Sequence, residues 1–109
     1  MEDRRKFERI SVPTAARLFA ETPDGKRLGP IRELGKGGLL VETSDDLALG
    51  ETYQIVIVDG RQQVRREVSA TVRYLKDTTV GLQFHNLELD AAVEIGVLVA
   101  KFYSGAPID

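Results

Sequence analysis

Hydrophobic and polar positions alternate with a period of two through most of the chain and switch to a helical period near its end. Val12 to Ala20 and Arg27 to Leu34 read as two strands joined through Pro23-Asp24-Gly25-Lys26, where proline presets one dihedral angle and glycine accepts positive φ. Gly38 to Thr43 is a third β segment. Tyr53 to Val58 is a fourth, with Tyr53, Ile55 and Ile57 on one face and Val56 and Val58 on the other. Asp59-Gly60 suits a two-residue type I′ turn into a long fifth strand, Val64 to Tyr74. Val64, Val68, Ala70, Val72 and Tyr74 share one side of it, and Arg66 interrupts that side, which predicts a bend or an edge there. Val80, Leu82 and Phe84 alternate with Gly81, Gln83 and His85 in a sixth strand.

From about residue 87 to 103 there is no proline, Asn86 or Asp90 is placed to cap the start, and Gly105-Ala-Pro107 stops the run, so a C-terminal helix is predicted. Leu89, Ala92, Val93, Gly96, Val97, Ala100 and Tyr103 make one apolar face of it and Ile95, Leu98, Val99 and Phe102 a second. A small sheet covers one stripe of such a helix. The other face therefore calls for a homodimer through the C-terminal helix, or for a long strand or loop that wraps it. Short strands with turn chemistry between them predict a closed antiparallel sheet, because closure removes the edges. The expected fold is all-β with a C-terminal helix, a six-stranded antiparallel β-barrel. Residues 10–109 form the single domain, and residues 1–9 precede it as a flexible arm.

With 109 residues, 42% hydrophobic and 29% charged, the chain is sized for one core and not for a cleft between lobes. It has no cysteine and one histidine, His85, which removes thiolate chemistry, sulfur-ligated metals and any site needing two imidazoles. No catalytic set of acid, base and nucleophile can be assembled, and no metal site or enzyme activity is expected. A formal charge of -2, from 15 basic and 17 acidic side chains, gives no field for gathering a DNA or RNA polymer. No run approaches the ~18 apolar residues of a membrane span. A cytoplasmic protein that recognises an anion locally is the expectation.

Two segments carry candidate chemistry. Arg4, Arg5, Lys6 and Arg9 are interleaved with acids in the arm. Arg5 and Arg9, four apart, can emerge on one side, where guanidinium groups donate bidentate pairs to guanine O6 and N7 or clasp phosphate. The second segment is Glu33-Leu-Gly-Lys-Gly-Gly38. It is not a triphosphate P-loop, since Pro30 stands where the first glycine belongs and Gly37 where serine or threonine must follow Lys36.

Arg4-Arg-Lys-Phe-Glu-Arg9 resembles the RxxxR arm of PilZ domains, and Glu33 to Gly38, running into Leu-Leu-Val-Glu-Thr43, resembles their (D/N)xSxxG motif. The spacing of the two motifs, the Val-Gly-Leu-Gln-Phe84 strand and the closing helix extend the similarity over nearly the whole chain. The resemblance implies a bacterial receptor for cyclic di-GMP that relays a second-messenger signal to a partner protein by conformational change. It assigns ligand contacts to Arg5 and Arg9, with Arg4 in the basic place before them, and to the turn residues Glu33, Gly35, Lys36, Gly37 and Gly38. Gly38 matches the motif's final glycine. Glu33 stands where Asp or Asn is usual and Gly35 where Ser is usual; Lys36 is expected to compensate at a phosphate. These departures leave an alternative, a degenerate PilZ-like interaction module that no longer binds cyclic di-GMP.

Overall fold

The longest-range constraint on the sheet is β3 (Arg27–Gly35), which pairs with three other strands. In the computed structural model, which describes residues 9–61 and 63–103, the remaining strands are β1 (Arg9–Ser11), β2 (Leu18–Glu21), β4 (Gly38–Glu42), β5 (Thr52–Asp59), β6 (Val64–Lys76) and β7 (Thr79–Phe84), followed by α1 (Leu89–Tyr103). Every pairing is antiparallel. The order β3-β2-β5-β6-β7-β4 closes through a β3–β4 ladder, so the six-stranded barrel expected from the alternation is the fold.

β1 is a seventh strand that the alternation does not resolve. The first segment, expected to run unbroken from Val12 to Ala20, is interrupted by a 3-10 turn at Thr14–Ala16 that ends on Arg17 with φ of 58°. Pro13 before it lacks the N–H that a continuous strand needs. β1 and β2 therefore lie on the same edge of β3, β1 along its second half and β2 along its first. Arg9, assigned to the arm by sequence, opens β1. Two smaller corrections follow the same logic of local chemistry. The link from β5 to β6 is longer than a two-residue turn: Gln63 N–H donates to the Asp59 carbonyl (2.7 Å) and Asp59 Oδ1 accepts from Arg61 N–H (3.0 Å). A register shift between Val72 and Tyr74 moves Tyr74 off the core side of β6, against Gly81.

The barrel is filled by Leu18, Ala20, Ile31, Leu34, Leu39, Val41, Ile55, Val72 and Leu82, all nearly inaccessible. Gly29 marks where two strands meet most closely. A Cβ there would stand 1.8 Å from the Glu42 carbonyl oxygen, so no other residue fits. α1 lies against β1, β3 and β6 and seals the core with Ala91 and Ile95, with Leu98 and Val99 packed beside them. The side chains of Phe102 and Tyr103 lie outside the described residues. α1 starts at Leu89, two residues later than expected, with Asn86 in the left-handed region (φ 53°).

Arg66 explains itself in this frame. The first half of β6 pairs with β5 and extends past the end of β7, so Arg66 occupies the edge that the sequence allows for. It faces α1, where it donates to Glu94 (2.7 Å) and approaches Asp90 (3.6 Å). The hydrogen bond from Arg66 holds the Glu94 carboxyl below its ordinary value of about 4.5, outweighing the opposing desolvation, and the guanidinium charge adds to the lowering. A folded pKa below the unfolded one means that the clamp is fully present above the ordinary carboxylate pKa. It is lost as pH falls through the depressed value. The melting temperature is expected to fall less steeply from about pH 5 to about pH 3 in Glu94→Gln than in the parent protein. Parallel slopes in thermal denaturation would remove the clamp from the account.

Candidate ligand-binding site

The glycine-rich turn is placed by β3 and β4, whose inward residues Leu34 and Leu39 face each other with no exposure. Alternation from Leu34 sends Glu33 and Gly35 to the outer surface. Across the other edge of β3, Arg9 pairs with Gly35, Ile10 with Leu34 and Ser11 with Glu33. Arg9, Ser11, Glu33 and Gly35 therefore share one outer face, while Ile10 follows Leu34 inward. The two motifs, twenty-odd residues apart in sequence, meet as neighbouring strands. Arg4 and Arg5 lie outside the described residues, immediately before this pairing.

The same outer face continues across the barrel. Glu33 is opposite Leu40, Leu40 opposite Gly81, and Gly81 opposite Tyr74, which is 46% exposed. Gly81 has no side chain to raise the floor, and the register shift in β6 brings Tyr74 up beside it. One row further along, Arg73 donates to Gln83 Oε1 (2.8 Å). Neither Tyr74 nor Gln83 stands out in the sequence. Alternation alone puts Tyr74 inside, and only the shift turns it outward.

Several arginines on other parts of the barrel are engaged: Arg65 and Arg27 with Glu21, Arg32 with Glu42, Arg66 with Glu94. Among the described residues, Arg9 and Glu33 make no side-chain hydrogen bond or ion pair. Half-buried on the outer face, they offer a donor fork and an acceptor, a pairing suited to a ligand that carries both acceptors and N–H donors.

Two expected site residues have neighbours of their own in the fold. Lys36 reaches toward α1: its Cε lies 3.6 Å from where a Cβ on Gly96 would stand. Gly38 is fixed by the fold, because a Cβ there would meet the Leu82 carbonyl oxygen at 2.1 Å. Its neighbour Gly37 is tied to β7 through the Phe84 N–H, which donates to the Gly37 carbonyl (2.9 Å). His85, exposed at the end of β7, contacts Asn86 and not the turn. No group of acids and histidines among the described residues could hold a metal. A separate concavity of about 360 Å³, between β5, β6 and the start of α1, contains none of the motif residues.

The model of the PilZ domain family matches residues 3–101. The chain belongs to the PilZ family. Among solved structures it is similar to the PilZ domain of YcgR from Escherichia coli with c-di-GMP, at 18% identity over 94% of both chains and a TM-score of 0.77. It is also similar to the K. pneumonia MrkH–c-di-GMP complex, at 13% identity over 95% of this chain and 54% of that one, with a TM-score of 0.77. The full YcgR–c-di-GMP complex from Escherichia coli matches at 20% identity over 94% of this chain and 47% of that one, with a TM-score of 0.74. The chain thus spans about half of each of those two longer proteins. None of the curated proteins matches it. Among the described residues no helix is long and apolar enough to cross a membrane.

Proposed function

We propose that this PilZ domain is a receptor for cyclic di-GMP that binds the dinucleotide on the outer face joining β1, β3, β4, β7 and β6. The observation that carries the reading is the placement of Arg9 across from Gly35 and beside Glu33, with neither charge committed elsewhere among the described residues. Family membership and the ligand named in the YcgR and MrkH complexes support the choice of dinucleotide. Arg9 donates to a guanine O6 and N7 or to a phosphate, with Arg5 and Arg4 arriving from the segment before β1. Glu33 accepts from guanine N–H groups. Tyr74 offers a face on which a base stacks, an interaction worth about 1–3 kcal/mol per base. Binding draws the arm onto the barrel and thereby presents a changed surface to a partner protein, with no catalytic step.

Calorimetric titration tests this directly, with cyclic di-AMP as the control because adenine presents a donor where guanine presents O6. Micromolar binding of the guanine ligand, at least ten times tighter than the adenine one, is expected. The departures at Glu33 and Gly35 favour a second reading, a degenerate module that contacts its partner without ligand. Gly35→Ser separates the two. Gly35 is not among the residues with positive φ, so serine brings no left-handed strain. In a working site, the added hydroxyl contributes one hydrogen bond and tightens binding about three- to tenfold. Absence of heat of binding from both proteins at millimolar ligand would decide for the degenerate module.

A further inference from the structure

The side of α1 turned away from the barrel is apolar. Leu89 is 81% exposed, Val93 57% and Val97 63%; each is four residues from the next, so they form one ridge. Beside the ridge run Ala92, Gly96 and Ala100, also four apart. On its other flank a groove of about 210 Å³ is lined by Ile57, Val64, Val97 and Leu98, with Val64 itself 41% exposed. A large ridge beside a row of small residues is complementary to itself when turned over.

Gly96 is the most informative of these positions. Glycine inside a helix is unfavourable relative to alanine, so its presence asks for a close approach. Among the described residues the fold supplies none: outside the helix backbone, a Cβ on Gly96 would meet only the flexible end of Lys36, at 3.6 Å.

We infer that this face of α1 is an interface for a second copy of the chain, the two helices packing antiparallel across Gly96. The size of the surface supports a second copy. The exposed Leu and Val side chains form a nearly continuous apolar surface, on the scale of the ~300–600 Å² largest patch of a monomer, which is often functional. Two such faces fall at the low end of interface sizes, below the ~1,200 Å² of stable complexes, which sets a micromolar and not a nanomolar dimer. Charge fixes the direction. α1 begins with Glu88 and Asp90 beside it and has Lys101 in its last turn, so antiparallel packing brings the acidic end of each copy to the basic end of the other. The helix dipoles favour the same arrangement. A two-fold axis at Gly96 also closes the assembly at two copies.

Sedimentation velocity of the full chain, without ligand, tests it. The mass is expected to rise from 12.1 kDa toward twice that value between about 10 μM and about 1 mM. Val93→Glu and Val97→Glu change side chains exposed in the single copy, so they should keep the parent melting temperature and remain monomeric. The chain has no cysteine, so introduced thiols report geometry cleanly. Under mild oxidation Gly96→Cys should form a covalent dimer, and Ala92→Cys should do so only when mixed with Ala100→Cys. A single-chain mass at about 1 mM overturns the inference, and is the result if residues 1–8 or a different protein occupy the face. So does association that Val97→Glu leaves unchanged. Crosslinking of Ala92→Cys with itself in preference to Ala100→Cys overturns the antiparallel arrangement.

Discussion

Replacing Arg5 and Arg9 together by alanine is expected to weaken cyclic di-GMP binding at least a hundredfold while leaving the melting temperature within a few degrees of the parent protein. Each guanidinium provides a charge-assisted and bidentate contact, worth about 1.5–3 kcal/mol, or tenfold or more per residue. The fold is expected to tolerate the loss because β1 is held through its backbone: Arg9 pairs with Gly35 by main-chain register, and it is Ile10 that follows Leu34 inward. Arg9→Lys is the informative companion. Lysine keeps the charge but not the fork, so partial recovery would assign Arg9 to phosphate, and full loss to a guanine edge. Titration calorimetry and thermal denaturation on the same samples separate binding from folding. A double alanine variant that binds as tightly as the parent would place the ligand elsewhere.

The architecture was legible in the sequence because closure, turns and helix each leave a local signature. Alternation from Val80 to Phe84 fixed which side of β7 is buried, and Pro23-Asp-Gly-Lys26 fixed a turn in which Gly25 does adopt positive φ (95°) and donates to the Thr22 carbonyl. What stayed hidden depends on register, which is a property of two strands at once. The 3-10 turn at Thr14–Ala16 takes the place of the first half of the expected strand, leaving β2 from Leu18 and a separate β1 before it, in which Arg9 lies alongside Gly35. The shift between Val72 and Tyr74 turns an apparent core residue into an exposed platform beside Gly81. The same blindness affected the glycine cluster. Sequence groups Lys36 with the ligand contacts, and the turn directs it toward Gly96 of α1. The outward facing of Leu89, Val93 and Val97 was likewise undecidable from periodicity, because both faces of the helix are apolar.

Gly38→Ala is expected to be the most destabilising substitution in the site, and its effect assigns the glycine's role. At Gly38 β4 begins its ladder with β7, opposite Gln83, and an added Cβ would lie 2.1 Å from the Leu82 carbonyl oxygen and 3.1 Å from Gln83 Cα. Both obstacles are backbone atoms of a strand that is itself paired with β6, so neither can yield as a side-chain tip does. Relief requires β4 to separate from β7, which exposes Leu39, Val41 and Leu82 at the closure of the barrel. Overpacking of this kind costs about 3 kcal/mol or more, a large share of the 5–15 kcal/mol that holds a small domain together. A fall in melting temperature of at least about 10 °C follows for a chain of this size. Gly50→Ala provides the contrast. Its φ of 88° carries backbone strain, but nothing lies within 4 Å of the added methyl, so a loss of about 1 kcal/mol is expected. Should Gly38→Ala melt with the parent protein and still lose cyclic di-GMP, the glycine would serve ligand approach and not strand closure. The short distance to β7 argues for the reverse order, with binding lost because the turn that presents Glu33 and Gly35 comes apart.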